Sequence, residues 1–276
     1  MPELPEVETV RRGLAPVLEG HRISRVILRR EGLRFPFPDG FGQSLSGKQV
    51  ESVGRRAKFL LITMEDGVVL IAHLGMSGSF RIFHHPPPEE EKHDHVIFET
   101  EAGTTIRYND PRRFGFMILT TQDELLDHQM LTKLGPEPIN PGLAAPELTQ
   151  RLSMRKGPIK TALLDQSVIA GLGNIYVCEA LFRAGISPKR KALTLRGKRS
   201  ERLAPIIQQV LFEAIEAGGS SLRDHQQTSG ELGYFQHQFS VYGREGEACL
   251  TCGPDFLVQR INQSGRSTFY CPHCQR

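Results

Sequence analysis

The sequence is poor in cysteine and has no long apolar run. It contains five cysteines in 276 residues, and four of them lie close to the chain end, so only Cys178 stands apart. A secreted protein of this length that is stabilised by disulfides would carry cysteine pairs throughout the chain. No apolar run reaches the length of a membrane span, and no apolar segment of the signal-peptide type opens the sequence. These absences predict a soluble, cytoplasmic protein with no membrane association.

The four clustered cysteines form two Cys-x2-Cys pairs. Cys249 and Cys252 make the first pair, Cys271 and Cys274 make the second, and eighteen residues separate the pairs. Four thiolates at this spacing can close a tetrahedral shell around one structural zinc ion, and the stretch between them suits a β-hairpin. So small a hairpin would depend on the metal for its folding. A disulfide pair, or no metal, is the alternative. A hydrolytic zinc centre is a poor one, because four cysteines leave no open coordination position.

Basic residues are concentrated in the second half of the chain. Residues 1–150 carry 17 Lys+Arg and 21 Asp+Glu, a net charge of −4, whereas residues 151–276 carry 17 and 10, a net charge of +7. A basic half beside an acidic half predicts one face that meets a polyanion. The alternative is that these side chains form an ordinary solvated surface.

The order of elements predicts an α+β multidomain protein. Segment 135–146 is rich in proline and glycine, which predicts an interdomain linker. Before it, short runs rich in Val, Ile, Leu, Phe and Thr alternate with turn residues, which predicts an antiparallel β-sandwich or barrel. The predicted strands are Arg22–Arg29, Gln49–Met64, Val68–His73, His95–Thr100, Thr104–Tyr108 and Phe114–Thr120. The helices predicted from helical spacing are Pro5–Leu18, Pro146–Met154, Ile159–Leu164, Asn174–Ala184 and Arg199–Ala217.

The N-terminal segment has the unusual composition Met-Pro-Glu-Leu-Pro-Glu-Val-Glu-Thr. Pro5 suits the first turn of a helix, and Glu6 and Glu8 suit the positive end of its dipole. Helix formation does not account for Pro2 and Glu3, which precede the helix. Once the initiator methionine is removed, Pro2 carries a secondary amine that is partly unprotonated at neutral pH. Such an amine could attack a sugar C1′ to give an iminium that acts as an electron sink, with Glu3 shuttling protons.

Further motifs follow the N-terminal one in a fixed order. They are Gly54-Arg-Arg-Ala-Lys-Phe59, His73-Leu-Gly-Met-Ser-Gly78, Lys92-His-Asp-His95, Asp110-Pro-Arg-Arg-Phe-Gly115, Leu134-Gly-Pro-Glu-Pro138, Ala170-Gly-Leu-Gly-Asn-Ile-Tyr176 and Val241-Tyr-Gly-Arg244. With these motifs and the cysteine pairs, the whole chain resembles bacterial formamidopyrimidine-DNA glycosylase, the base-excision enzyme for oxidised purines. The sister family that excises oxidised pyrimidines has glycine in place of Leu4, so the purine branch is favoured.

The resemblance implies a fold and a function. Residues 1–134 would form a catalytic antiparallel β-sandwich with flanking helices, followed by the linker. Residues 147–237 would form a helix-two-turns-helix DNA-binding domain, and residues 238–276 a β-hairpin zinc finger. As a monomer, the enzyme would flip an oxidised purine, such as 8-oxoguanine or a formamidopyrimidine, out of double-stranded DNA. It would excise the base and cleave the strand by β,δ-elimination. The alternatives are an oxidised-pyrimidine glycosylase and a non-catalytic zinc-finger protein that binds damaged DNA.

The resemblance also implies four catalytic residues. Pro2 matches the Schiff-base nucleophile, and Glu3 matches the proton donor at the deoxyribose. Lys58 matches the lysine of β-elimination, which also contacts phosphate. Without the family, a solvated strand lysine is its alternative. Arg266 matches the arginine of δ-elimination. Because an arginine remains cationic, phosphate binding is chemically its more secure role.

Three further residues match the family's trio that enters the space left by the flipped base. Phe114 can wedge between stacked bases, Met76 can fill an irregular gap, and Arg112 can hydrogen-bond the orphaned base. In isolation Met76 and Phe114 would be assigned to the core, but neighbouring glycines favour exposed loop tips. The other predicted DNA-binding residues are His93, Arg155, Lys160 and Asn174.

Two predictions concern loops and the helix that begins near Asn174. Asn174 is expected to cap this helix while it contacts DNA. Segment 218–235 is long, polar and rich in glycine and serine, as functional or disordered loops are. By resemblance, this segment covers the flipped purine, and residues between Ser220 and Tyr234 contact it. Ser77 is a further candidate for a lesion contact.

Overall fold

The computed structural model describes residues 2–84, 86–220, 228 and 233–276. Two compact units make up the chain: Met1–Thr132 with Ala217–Tyr234, and Lys133–Glu216 with Phe235–Arg276. The polar segment that follows the last long helix therefore belongs to the N-terminal unit. The domain boundaries given above stay predictions, and the compact units follow a different division.

Two antiparallel four-stranded sheets form the N-terminal unit. The strands are β1 (Ile23–Leu28), β2 (Val50–Arg56), β3 (Phe59–Met64), β4 (Val68–His73), β5 (Ser79–His84), β6 (Asp94–Thr100), β7 (Thr104–Asn109) and β8 (Phe116–Thr121). The first sheet has the order β1-β6-β7-β5 and the second β2-β3-β4-β8. Phe98 and Tyr108 of the first sheet and Leu60 and Leu70 of the second are buried in one core. Two sheets with a shared core make the predicted β-sandwich.

Helix α1 (Leu4–Leu18) packs against the same core. Its buried apolar residues recur at helical spacing, and they are Val7, Val10, Leu14 and Leu18. Pro5 lies in the first turn, where its missing N–H costs no hydrogen bond. The packing of α1 therefore fixes the position of the chain end that precedes it.

Three elements differ from the sequence predictions. The predicted strand Gln49–Met64 is two strands, because Ala57 takes a left-handed backbone with φ 53° and reverses the chain between β2 and β3. Strand β5 and a short helix, α2 (Phe41–Leu45), were not predicted. Strand β5 lies at a sheet edge and pairs with β7 rather than with either of its neighbours in sequence, so local pattern gave little guidance.

Helices dominate the second unit. They are α3 (Ala145–Leu152), α4 (Ile159–Leu163), α5 (Asn174–Arg183) and α6 (Lys198–Glu216), and each matches a predicted helix closely. Four short strands follow: β9 (Ala248–Cys249), β10 (Gly253–Leu257), β11 (Gln259–Gln263) and β12 (Arg266–Tyr270). Strands β11 and β12 form the hairpin predicted between the cysteine pairs, and the α+β prediction is confirmed. Among the described helices, none combines the length and hydropathy that a bilayer crossing requires.

Candidate active site and metal centre

Pro2 and Glu3 lie in a buried position where helix α1 begins. Only 3% of Glu3 is exposed, and Glu3 is the N-cap residue of the helix. Its backbone N–H donates to Oε2 of Glu6 at 2.8 Å. This bond from the first turn back to the N-cap is one half of a capping box, and it fixes the backbone at Glu3. A carboxyl group is thus held one residue away from the Pro2 nitrogen, out of bulk water.

Glu6 also holds the start of the segment that returns to the N-terminal unit. Its Oε1 accepts the Ser220 backbone N–H at 2.9 Å and the Ser220 hydroxyl at 3.0 Å, and only 2% of Glu6 is exposed. Gly219 has φ +80°, and a side chain there would meet Cγ of Glu6 at 3.1 Å. Residues 221–227 and 229–232 lie outside the described residues. The lesion contact expected of this segment therefore stays a prediction.

Glu8 does not act at the helix end, as the sequence predicted. It lies in the second turn of α1, where it pairs with Arg11 at 2.8 Å and with Arg55 at 2.9 Å. Burial alone would raise the pKa of Glu8, but hydrogen bonds from the two arginines outweigh burial and leave the pKa below its ordinary value. This buried ion pair connects α1 to the end of β2, immediately before Lys58.

Lys58 lies in the two-residue turn between β2 and β3. Arg56 pairs with Phe59 across this turn, so Ala57 and Lys58 form its tip. Only 7% of Lys58 is exposed, which is far from the solvated strand lysine that was its alternative. Its charge acts on His73 in β4, so the turn and the end of β4 share one electrostatic environment.

The His73 imidazole is neutral at physiological pH. Burial is the main cause that lowers its pKa to about 4, and the charges of Lys58 and Arg34 lower it further. Its Nδ1 accepts the Gly75 N–H at 3.0 Å, and its ring stacks on Phe116 with the centroids 5.3 Å apart. Protonation at Nδ1 would remove this acceptor, so the local geometry also favours the neutral ring.

We expect His73 to make the folded protein less stable in acid. The unfolded chain binds this proton below about pH 6.5 and the folded chain only below about pH 4, so stability is lost as the pH falls between these values. At about 1.4 kcal/mol per pH unit, the loss is at most about 3 kcal/mol. Urea unfolding at several pH values between 7 and 4 measures it. A His73→Gln variant should lose less stability on acidification, and equal losses in the two proteins would contradict the prediction.

The three residues predicted to enter the DNA helix lie together on two adjoining loops. Met76 is 37% exposed and Phe114 is 45% exposed. The Arg112 guanidinium lies 4.9 Å from the centroid of the Phe114 ring. Beside them is a cavity of about 410 Å³ lined by Met76, Phe114, Gly75, His73 and Arg34. Two large apolar side chains exposed beside a cation have the geometry that the wedge role requires.

The buried carboxylate of Asp110 joins these two loops. It accepts the Ser77 hydroxyl at 2.6 Å and the Gly115 N–H at 2.9 Å, and Asp110 is fully buried. The Ser77 oxygen in turn accepts the Arg112 N–H at 3.2 Å. With 4% of Ser77 exposed and its hydroxyl engaged inward, the structure does not support the lesion contact expected of this residue. Asp110 stood inside a quoted motif, but sequence reasoning gave it no role.

His93 lies next to the same loop. Its carbonyl oxygen accepts the Asp110 N–H at 3.1 Å, and its ring lies 6.1 Å from the ring of His95. Nε2 of His95 is 2.9 Å from the Asp110 carbonyl oxygen. The half-buried His93 is therefore held beside Arg112, and its contact with DNA stays a prediction.

In the second unit, the predicted basic residues have different surroundings. Arg155 is exposed and pairs with Asp165 at 2.8 Å. Lys160 was expected to add positive charge to a DNA-binding surface, but its side chain is fully buried in α4. A buried ammonium group cannot reach a phosphate outside the protein, so the structure contradicts this surface position. Sequence reasoning missed the burial because lysine is almost never fully buried.

Asn174 has a different local role from the one predicted. The N-cap of α5 is Gly173, and Asn174 is the first helical residue, so the predicted capping role is wrong. Its Nδ2 donates to the Ser267 carbonyl oxygen at 2.9 Å and to the Tyr242 hydroxyl at 3.4 Å. Asn174 thus connects the start of α5 to strand β12. Its contact with DNA stays a prediction.

Arg266 lies at the tip of the β11–β12 hairpin. It pairs with Gln263 across a two-residue turn in which Ser264 has φ 50° and Gly265 has φ 74°. Two successive positive φ values define a type I′ turn, which matches the twist of the strands that it joins. Arg266 is exposed, so its guanidinium is available to a ligand outside the protein.

The four cysteines come together as the sequence predicted. The Sγ atoms of Cys249, Cys252, Cys271 and Cys274 all lie within 4.8 Å of one another. The Sγ atoms of Cys249 and Cys274 are 3.9 Å apart, and those of Cys252 and Cys271 are 3.8 Å apart. Tetrahedral coordination with metal–sulfur bonds of about 2.3 Å requires a separation of about 3.8 Å. These four residues can therefore hold a metal ion.

Two family models match this chain. Residues 1–117 match the Formamidopyrimidine-DNA glycosylase N-terminal domain, and residues 134–226 match the Formamidopyrimidine-DNA glycosylase H2TH domain. The β-sandwich lies in the first match, and the helices α3 to α6 lie in the second. A chain with these two domains has the fold of the DNA glycosylases of base-excision repair.

Comparisons with single proteins agree over the full length. The chain is 54% identical to the formamidopyrimidine-DNA glycosylase of Rhizobium meliloti and 55% identical to that of Rhodopseudomonas palustris, with 100% of both chains covered in each case. It is similar to the crystal structure of MutM (Fpg) from Thermus thermophilus, with TM-score 0.87, 40% identity and coverage of 99% and 98%. It is also similar to Lactococcus lactis Fpg in complex with abasic-site DNA, with TM-score 0.90, 35% identity and full coverage of both chains. The chain belongs to the formamidopyrimidine-DNA glycosylase family.

Proposed function

We propose that this protein binds damaged double-stranded DNA as a monomer, excises oxidised purines and then cleaves the strand at the abasic site. The observation that carries the proposal is full-length identity of 54–55% to enzymes named for formamidopyrimidine in DNA. Two solved relatives from Lactococcus lactis support the substrate class, because one holds abasic-site DNA and the other holds DNA with Fapy-dG. The substrates proposed are 8-oxoguanine and formamidopyrimidines.

The chemistry starts at the Pro2 nitrogen, which becomes a secondary amine when the initiator methionine is removed. Its lone pair attacks C1′ of the damaged nucleotide, the bond to the base breaks, and the base leaves with the bonding electrons. Glu3 donates a proton to the deoxyribose ring oxygen as the ring opens to the iminium. The burial of both residues supports these roles, since electrostatic interactions are stronger in a site without bulk water.

Strand cleavage uses the iminium as an electron sink. Loss of a C2′ proton expels the 3′ phosphate by β-elimination, and a second elimination expels the 5′ phosphate. We assign Lys58 to the first step, because its burial beside a neutral histidine is the setting in which a lysine can exchange a proton. We assign Arg266 to phosphate binding during the second step.

Other residues would hold the duplex and the hairpin. Met76 and Phe114 would fill the space left by the flipped base, and Arg112 would hydrogen-bond the base left unpaired. His93, Arg155 and Asn174 would contact the phosphate backbone. The four cysteines would hold one zinc ion with a structural role, because their donor set leaves no open coordination position.

Borohydride trapping tests the proposal. The protein is incubated with a duplex that contains 8-oxoguanine opposite cytosine, reduced, digested and analysed by mass spectrometry. We expect a covalent DNA adduct on the Pro2 peptide. The matched control is the same chain with a Gly-Ser extension before Pro2, in which the nitrogen is an amide. This control should fold and bind DNA but form no adduct.

Other outcomes would change the assignment. An adduct formed with a thymine-glycol duplex but not with 8-oxoguanine would indicate an oxidised-pyrimidine glycosylase. Binding without any adduct, in a protein shown to lack the initiator methionine and to hold zinc, would indicate a non-catalytic damaged-DNA-binding protein. Either result would overturn the proposed function.

A further inference from the structure

A concentrated basic surface lies in the second unit, outside the residues assigned above. Segment 187–202 contains seven basic residues and one acidic residue, Glu201. Six of the seven side chains are exposed, and the seventh, Arg190, is half-buried. The exposed six are Lys189, Lys191, Arg196, Lys198, Arg199 and Arg202. We call this set with Arg190 the basic patch.

The exposed residues of the basic patch lack carboxylate partners within the part of the chain that the structure describes. Arginines on other surfaces have them, as in the pairs Arg22–Glu65 at 2.7 Å, Arg155–Asp165 at 2.8 Å and Arg183–Glu213 at 2.5 Å. Ion pairing is thus the rule elsewhere on this protein, and the basic patch departs from it. Like charges gathered without counter-charges repel one another, and an external polyanion would relieve that repulsion.

Backbone hydrogen bonds bring the basic patch alongside a predicted DNA contact. The Ile159 N–H donates to the Arg190 carbonyl oxygen at 2.7 Å, and the Leu193 N–H donates to the Arg155 carbonyl oxygen at 3.0 Å. Residues 189–193 therefore run next to residues 155–159, where Arg155 and Lys156 are exposed. The positive surface is continuous from Arg155 into the basic patch.

The start of helix α6 adds to the positive potential. Lys198 and Arg199 open this helix, where the backbone dipole already presents its positive end. Burial and then the charge of Arg199 lower the pKa of Arg190, which shows that the two guanidinium groups are close. Basic side chains are unfavourable at a helix start. Their accumulation here stabilises nothing within the described structure.

We propose that the basic patch is an accessory surface that binds the phosphate backbone of duplex DNA outside the lesion site. This inference rests on the proposed function. Duplex DNA carries one charge per about 1.7 Å of its axis, and a string of unpaired Lys and Arg side chains matches such a polyanion. The contact carries no sequence information, so it serves the search along undamaged DNA and adds nothing to lesion choice.

Salt dependence of binding to a long undamaged duplex tests the proposal. The test variant is the double substitution Lys198→Gln and Arg199→Gln. The matched control is Arg25→Gln with Lys133→Gln, which also removes two exposed positive charges that have no carboxylate partner in the described residues. The test variant should lose about 1.8 from the slope of log K against log salt, at about 0.9 for each phosphate contact. The control should change the slope far less.

Two further measurements keep this inference separate from the proposed function. Excision from a short duplex that covers only the lesion site should be unchanged in the test variant, and its melting temperature should not fall. Equal slope changes in test and control variants would overturn the accessory surface while leaving excision intact. Loss of binding to phosphatidylserine vesicles, with no change in the DNA slope, would overturn it in favour of a membrane surface. A parent protein that cannot excise would overturn the proposed function, and the slope comparison would still decide the basic patch.

Discussion

A Glu3→Gln substitution is expected to slow the release of an oxidised purine by about 10²–10⁴-fold, the range for loss of a general acid. Glutamine keeps the size of the side chain but cannot donate a proton to the ring oxygen. The backbone bond from Glu3 to Glu6 does not involve the substituted side chain. Folding and α1 should therefore be preserved, and single-turnover release of 8-oxoguanine from a duplex measures the effect on chemistry alone.

The same variant should retain most of its activity on a preformed abasic site. There the base has already left and the sugar can open to an aldehyde, so the Pro2 amine condenses without a general acid at a glycosidic bond. The control is Glu124→Gln, at an exposed position, which should leave both rates unchanged. Equal losses on the lesion and on the abasic site would show that Glu3 acts in strand cleavage or in folding, and would contradict the proposed role.

The elements of this fold were predictable where packing is periodic. Strand β4 has the bounds that its apolar run predicted, and α1 begins one residue from the predicted start. Strand β5 alternates Phe80 and Ile82 with polar residues but was missed. Its only partner is β7, so its place depends on a pairing that a single segment does not specify.

The candidate site was predictable in its chemistry but not in its supporting contacts. The cysteine spacing and the Pro2-Glu3 motif name chemical groups directly, and the structure gathers the cysteines as expected. The contact of Glu6 with Ser220 joins positions 214 residues apart, and nothing local in the sequence indicates it. Lys160 was misplaced for a similar reason, since its burial comes from tertiary packing and not from its own preference.

The second large effect is expected from Cys271→Ser, which removes a fully buried thiolate from the metal centre. Metal content, measured on the purified protein, should fall from about one zinc per chain to almost none, because structural zinc sites in small modules supply about 10–16 kcal/mol of apparent binding energy that is also folding energy. The β11–β12 hairpin should then lose its amide protection in hydrogen exchange, while the β-sandwich keeps its own.

Loss of the hairpin should also weaken DNA binding, since Arg266 is held at its tip. One lost charge-assisted contact costs about 1.5–3 kcal/mol, or roughly a 10–100-fold change in Kd. The matched control is Cys178→Ser, because Cys178 is buried in the same core as Cys249 and Cys271 but is not among the four sulfurs of the site. The control should keep its zinc and its DNA affinity. Parent protein stripped of zinc by a chelator should behave like Cys271→Ser, and a stripped protein that keeps a protected hairpin would show that apolar packing alone, and not the metal, holds this part of the chain.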